Sequence, residues 1–170
     1  IPLGISAATA VSVGHAIGAG DPARARRAGW LALGLGTAFM LLAGAVFLIA
    51  PRPLIELYTS DPRVLAVGPT LLWIAAAFQV FDGIQTISTG ALRGLGETRA
   101  PMLANFLGYW ILGLPLGLIL CFILKWGIYG MWTGLTLALI VISTMLLYRW
   151  RKDSMHIAGE ANLASLENRS

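Results

Sequence analysis

Long stretches without a charged residue dominate the hydrophobic pattern of this chain. Five of them contain no Asp, Glu, Lys or Arg, and they cover residues 1–20, 28–51, 64–81, 100–124 and 126–148. The hydrocarbon core of a bilayer is about 30 Å thick and needs about 20 predominantly apolar residues per helix. Each stretch meets or approaches that length. The pattern therefore predicts an all-α, polytopic bundle of five transmembrane helices, with little of the chain outside the bilayer.

Proline and capping residues mark the ends of the predicted helices. Asp21-Pro22 and Asp61-Pro62 each place a capping carboxylate directly before a proline, which suits the first turn of a helix. Prolines at positions 51 and 53 break the second helix, and the short segment that follows, residues 54–59, is expected at the membrane interface. The predicted helices cover about residues 1–20, 22–50, 61–92, 99–124 and 127–150, and they form one bundle over residues 1–152.

The distribution of basic residues predicts the orientation of this bundle. The chain has 12 Lys and Arg against 8 Asp and Glu. Arg52, Arg63 and Lys125 fall on one side of the predicted bundle. Eight basic residues fall on the other side: Arg24, Arg26, Arg27, Arg93, Arg99, Arg149, Arg151 and Lys152. Because the cytoplasmic loops of membrane proteins collect Lys and Arg, we expect a cytoplasmic C-terminus and no nucleic-acid partner. The expected location is the bacterial inner membrane.

The two ends of the chain and the aromatic residues complete the predicted organisation. From residue 153 to residue 170 polar and apolar residues mix without a periodic face, which is typical of a disordered tail. Ile1-Pro2 opens the sequence as though already within a helix, so we expect an N-terminal part to precede it. Trp30, Tyr148 and Trp150 fall near predicted helix ends and are interpreted as interfacial anchors.

Asp82 is the most informative candidate for chemistry. A carboxylate within a membrane helix costs about 2.5–3.5 kcal/mol on insertion scales and indicates a functional site by default. At helical spacing, further polar or aromatic side chains share or flank its face: Phe78, Gln79, Gln85 and Thr86. Phe78, Gln79, Gln85 and Thr86 are candidates to line a cavity beside Asp82, and Asn105 and Tyr109 in the fourth helix are candidates to line the same cavity. No Lys or Arg lies within another apolar stretch, so we predict ion coupling at Asp82; the alternative is a structural carboxylate bonded to its neighbours.

Small residues and one proline predict where the helices pack and bend. Gly14 and Gly18 in the first helix, like Gly113 and Gly117 in the fourth, are spaced so that helix backbones can approach closely. Pro115 lies between the second pair, cannot donate a backbone hydrogen bond and frees a carbonyl of the preceding turn. Such breaks are tolerated where the backbone is buried against other helices or lines a cavity. Pro115 is therefore a candidate hinge.

Three segments, in order and at matching intervals, resemble the multidrug and toxic compound extrusion (MATE) family of transporters. Residues 2–20 look like helix eight of that family. Residues 78–82 (FQVFD) and 90–99 (GALRGLGETR) are similar to its helix ten and the loop after it, and residues 109–117 (YWILGLPLG) resemble its helix eleven. The resemblance covers about residues 1–152.

The resemblance implies helices eight to twelve of a twelve-helix, two-lobed antiporter that exports cationic amphipathic compounds in exchange for sodium or protons. Asp82 matches the acidic residue of helix ten that serves the cation site of the family's second lobe, and it is a metal ligand only if sodium is the coupling ion. The implied partners are the bilayer, small cationic drug-like substrates, and the missing first lobe and helix seven. We expect neither an enzyme nor a cofactor, since HExxH, GxSxG and a phosphate-binding loop are absent.

Two alternatives stay open from the residues alone. A lipid-linked oligosaccharide flippase of the same superfamily would carry several cationic residues in its cavity, and the apolar stretches contain none. A helical bundle that scaffolds a partner without transporting would tolerate replacement of Asp82 by Asn, whereas a transporter would not.

Overall fold

The computed structural model describes the backbone of residues 1–167 and the side-chain surroundings of residues 1–157 and of Gly159. Within these residues the helices are α1 (Pro2–Gly18), α2 (Pro22–Ile49), α3 (Pro51–Glu56), α4 (Pro62–Gly94), α5 (Arg99–Ile123) and α6 (Ile128–Glu167). The described part of the chain contains no strand. The predicted all-α bundle is confirmed.

Two aspartates cap the long helices α2 and α4, as the sequence predicted. The side chain of Asp21 accepts a hydrogen bond from the backbone N–H of Arg24 at 2.9 Å, and that of Asp61 accepts one from the N–H of Arg63 at 2.8 Å. These bonds satisfy backbone donors that the first turn of a helix leaves without an intrahelical partner. The caps therefore fix where both helices begin.

Four helices are long and apolar enough to cross a membrane: α2, α4, α5 and the part of α6 from Ile128 to Ile157. α1 has 17 residues and, at 1.5 Å per residue, is about 26 Å long, which is less than the thickness of the hydrocarbon core. Within the described residues the structure thus has four such spans where the sequence predicted five. The first residues of the predicted interfacial segment, residues 54–59, complete the short helix α3.

α6 continues well beyond the end predicted for it. The sequence pattern placed this end near residue 150, with a disordered tail from Asp153, and both are wrong because the helix runs on to Glu167. Arg149 and Asp153 favour the continuation, since their side chains pair at 2.9 Å across one helical turn. No proline interrupts the segment. Residues 168–170 of the predicted tail lie outside the described residues.

α4 is the central helix of the bundle and contacts α1, α2 and α6. The buried core gathers where the end of α4 meets the start of α2 and the middle of α6. Its members are small or branched apolar residues and one tryptophan: Val13, Ala16, Ala25, Leu33, Ile87, Ala91, Leu92, Ala104, Ile142, Leu146 and Trp150. This core lies in the half of the bundle that also carries most of the basic residues.

Trp150 belongs to this core and not to a membrane interface. Its side chain is 0% exposed and fills the space over Gly29 of α2, where any Cβ would collide with the indole ring. The interpretation of Trp150 as an interfacial anchor is therefore wrong. A tryptophan between two arginines has the local pattern of a helix end, but the glycine across from it creates a buried site that the local pattern does not show.

Candidate functional site

Asp82 is half-buried in α4, within a segment of apolar composition. No described residue donates a hydrogen bond to its carboxylate or forms an ion pair with it. The salt bridges in the described part of the chain lie outside the apolar helix segments: Arg52 with Glu56, and Arg149 with both Glu97 and Asp153. The alternative of a structural carboxylate, bonded to its neighbours, therefore finds no partner for Asp82 among the described residues.

A hydrogen-bonded cluster joins α4 to α5 one turn beyond Asp82. Nε2 of Gln85 donates to Oδ1 of Asn105, and Oε1 of Gln85 accepts a hydrogen bond from the Tyr109 hydroxyl at 3.3 Å. Gln85 is buried, and the other two side chains are half-buried. The Asp82 carboxylate lies close enough to Tyr109 for the two to interact electrostatically. The structure thus brings one carboxylate together with three neutral polar side chains at the contact between α4 and α5.

Gln79 and Phe78, also predicted to flank Asp82, contact other helices. Nε2 of Gln79 donates to the backbone carbonyl of Met40 in α2 at 3.5 Å. The Phe78 ring packs edge-on against Trp132 of α6, with 5.8 Å between the ring centroids. Sequence reasoning missed Met40 and Trp132, since a contact between distant segments leaves no local pattern. The polar and aromatic neighbours of Asp82 are divided among several helix contacts instead of lining one cavity.

Thr86 lies where α1 approaches α4. Its backbone carbonyl accepts a hydrogen bond from the Ser6 hydroxyl at 2.7 Å. The nearby Thr9 hydroxyl instead bonds to the carbonyl of Ile5 in its own helix at 2.6 Å. A Cβ at Gly90 would collide with the backbone of Ser6, so α1 and α4 are in close contact directly after the Asp82 segment.

The donor set around Asp82 limits its chemistry. Among the described residues, no group of three or more His, Cys, Asp or Glu side chains could hold a metal ion. One carboxylate beside amide and hydroxyl oxygens can supply oxygen ligands to a hard cation. The same carboxylate can instead take up and release a proton, a role that ionisable residues commonly have within membranes.

Glycines let α5 and α6 contact each other through their backbones. A Cβ at Gly113 would lie 3.0 Å from the Cβ of Ala138, and one at Gly117 would lie 2.9 Å from the sulfur of Met131. A Cβ at Gly134 would collide with the backbone of Gly117. The structure therefore places both predicted packing glycines of α5 in a close helix contact.

The two predicted packing glycines of α1 differ from each other. A Cβ at Gly14 would lie 3.6 Å from the backbone oxygen of Gly94, which is ordinary van der Waals contact. Nothing lies within 4 Å of the corresponding position at Gly18. Within the described part of the chain no helix packs against Gly18, so the packing predicted for it stays a prediction. Gly18 is the last residue of α1, and it lies beyond the region where α1 approaches α4.

Pro115 lies in a part of α5 where the hydrogen-bonding register changes twice. The α-helical segment Leu114–Leu118 is flanked by the π-helical segments Gly108–Gly113 and Ile119–Ile123. A π-helical turn closes its hydrogen bond one residue later than an α-helical turn does. The change from one register to the other lies next to Pro115, which has no backbone N–H to donate. The sequence predicted a bend at a freed carbonyl, whereas the structure has π-helical turns on both sides of the proline.

The chain is similar to known proteins over most of its length. The model of the MatE family matches residues 1–119. The Multidrug resistance protein NorM of Burkholderia vietnamiensis is 46% identical over 164 residues, which cover 93% of this chain and 36% of that protein. The Probable multidrug resistance protein NorM of Mesorhizobium japonicum is 43% identical over 159 residues, with 90% and 34% covered. This chain thus spans about a third of the length of the curated relatives it matches.

Solved structures share the fold. The crystal structure of the eukaryotic MATE transporter AtDTX14 has a TM-score of 0.82 at 24% identity, and the match covers 94% of this chain and 37% of that one. An inward-facing multidrug resistance MATE family transporter of the MOP superfamily has a TM-score of 0.80 at 19% identity, with 93% and 37% covered. At these identities the likeness shows the fold alone.

Proposed function

We propose, from the premise that this chain belongs to the MatE family, that it forms part of a multidrug efflux transporter. The chain is an integral membrane protein, because the family consists of membrane transporters and its long helices are apolar. In the proposed reaction, cationic amphipathic compounds leave the bacterial cell across the inner membrane in exchange for sodium ions or protons. The names of the NorM relatives support multidrug efflux.

The carboxylate of Asp82, which has no partner among the described residues and lies in an apolar helix, is the observation that carries this proposal. Burying a charge in a membrane without a partner is costly, and such residues commonly mark ion pathways. Coupling requires an ion site whose affinity differs between two conformations, since equal affinity shifts neither. Asp82 would supply that site, with oxygens of Gln85, Asn105 and Tyr109 beside it, and Pro115 would lie at a hinge of α5.

The relatives are about three times as long as the segment they share with this chain. The remaining length would supply the first lobe and helix seven of the second lobe. Eight exposed arginine and lysine residues at one end of the helices support a cytoplasmic C-terminus: Arg24, Arg26, Arg27, Arg93, Arg99, Arg149, Arg151 and Lys152.

Replacing Asp82 by Asn in the full-length protein tests the proposal. The amide keeps the shape of the side chain and removes its charge, so we expect loss of ion-driven efflux with insertion and expression unchanged. The measurement is dye efflux from vesicles under an imposed sodium or proton gradient, and the gradient that drives the unsubstituted protein identifies the coupling ion. Asp82→Glu should retain more activity with protons than with a tightly coordinated sodium ion.

Asp61→Asn is the matched control. It makes the same chemical change at an exposed helix cap, where Asn serves about as well as Asp, and it should leave efflux unchanged. Full gradient-driven efflux by Asp82→Asn would contradict ion coupling at this residue and would favour a structural bundle.

A further inference from the structure

A groove about 400 Å³ in volume runs along α2 on the side of the bundle away from Asp82. Trp30, Gly34, Thr37 and Leu41 of α2 line it at helical spacing, and Ile84 of α4 and Leu147 of α6 form its walls. We call it the α2 groove. Leu41 also lines a second apolar groove of about 430 Å³, which continues along α2 and α4.

The α2 groove and the Asp82 site occupy opposite faces of α4. Residues two positions apart on a helix point about 160° away from each other. Ile84, the residue of α4 that lines the α2 groove, is two positions from Asp82. A molecule in the α2 groove therefore does not reach the carboxylate, and its binding can be measured separately from ion coupling.

Three arginines lie at one end of the α2 groove. Arg26 and Arg27 precede Trp30 by one turn on α2, and Arg151 follows Leu147 by one turn on α6. All three are exposed, and none takes part in the salt bridges of the described residues. Arg26 also lines a small cleft with residues of α6, so the two helices meet at this level. At the far end, Arg52 is already paired with a glutamate at 3.2 Å.

We propose that the α2 groove binds one acyl chain of an anionic phospholipid, whose headgroup phosphate pairs with Arg26, Arg27 and Arg151. The distance from Trp30 to Leu41 along α2 is about 16 Å, close to the depth of one leaflet, about 15 Å. Basic pockets between membrane helices on the cytoplasmic side bind anionic headgroups. Trp30 is 38% exposed and lies between the charged end and the apolar groove, where an amphipathic ring suits the boundary between headgroup and acyl chain.

Native mass spectrometry of the purified full-length protein tests the proposal, with phosphatidylglycerol and phosphatidylcholine of identical acyl chains as probes. We expect tighter binding of phosphatidylglycerol. Each arginine near the surface contributes about fivefold to the affinity for an anionic lipid, so Arg26→Gln with Arg27→Gln should weaken phosphatidylglycerol binding about 25-fold. Arg63→Gln with Lys125→Gln, at exposed positions away from the α2 groove, is the matched control and should have no effect.

Gly34→Leu tests the α2 groove itself. Nothing lies within 4 Å of a Cβ at Gly34, so the groove has room for a side chain there, and we expect leucine to occupy it and to abolish the tightest phosphatidylglycerol-binding event. Gly4→Leu has equal space on α1 and should preserve it. Undiminished binding by Gly34→Leu would show that another segment covers the α2 groove or that it stays empty, and would overturn the proposal. Equal affinity for both lipids, or for the double arginine variant and its control, would also overturn it.

Discussion

The hydrogen bond between Gln85 and Tyr109 gives a quantitative prediction for the site. Hydrogen bonds between membrane helices contribute about 0.6 kcal/mol on average and up to about 1.7 kcal/mol. The oxygens of Tyr109 and Gln85 are 3.3 Å apart, beyond the usual distance for two oxygens, so Tyr109→Phe should cost about 0.6 kcal/mol or less. Gln85→Leu also removes the bond to Asn105 and should cost about 1–2 kcal/mol.

The double variant separates the free energy of the Tyr109–Gln85 hydrogen bond from the other effects of the two substitutions. Because either substitution removes the same Tyr109–Gln85 bond, the double variant should be no less stable than Gln85→Leu alone, apart from independent packing effects. The expected coupling energy is therefore about 0.5 kcal/mol. The measurement is the unfolding free energy of the full-length protein in bicelles, obtained for the four members of the cycle under one set of conditions.

Tyr129→Phe provides the control for this cycle. The Tyr129 hydroxyl donates to the backbone carbonyl of Val67 at 3.4 Å, in a different part of the bundle, so its removal should add independently to Gln85→Leu. Strict additivity of Tyr109→Phe and Gln85→Leu would refute the reasoning, because it would mean that the cluster does not hold α4 to α5.

Two further predictions concern the loop between α4 and α5. The hydrogen bond from the Ala100 N–H, followed by the charges of nearby arginines, lowers the pKa of Glu97 below its ordinary value of 4.5; its stabilising contribution is present above that value and is lost as pH falls through the lowered pKa. Thermal unfolding of Glu97→Gln should therefore depend less on pH below about 4.5 than that of the unsubstituted protein. In intact cells and a Cys121→Ser background, cysteine at Thr98 should resist a membrane-impermeant thiol reagent and cysteine at Ser60 should react, and the reverse pattern would contradict the orientation.

The helices could be predicted because a bilayer imposes a simple rule on the chain. Every backbone group within it must be bonded internally, so uncharged stretches of sufficient length become helices, and capping carboxylates fix where two of them begin. The end of α6 did not follow the same rule. The pairing of Arg149 with Asp153 across one turn favours its continuation, and a segment of mixed polar and apolar residues is compatible with either a helix or a tail.

The sequence predicted which residues share a face of α4, but it did not predict their contacts with other helices. Asp82 stood out because it is a carboxylate among apolar residues, and helical spacing put Gln79 and Gln85 about 60° to either side of it. Which neighbour each amide contacts depends on the arrangement of the other helices. Gln79 bonds to the backbone of α2 and Gln85 to side chains of α5, so their shared sequence pattern led to different contacts.

The glycine contacts of α6 also determine which positions can change together during evolution. A larger residue at Gly29 would collide with the Trp150 side chain, and a smaller residue at position 150 would make room for it, so these two positions can covary. Gly134 is different, because a side chain there would meet the backbone of Gly117, and its partner has no side chain left to remove. No second substitution at position 117 can compensate, so Gly134 should appear invariant and uncoupled where Gly29 and Trp150 vary as a pair.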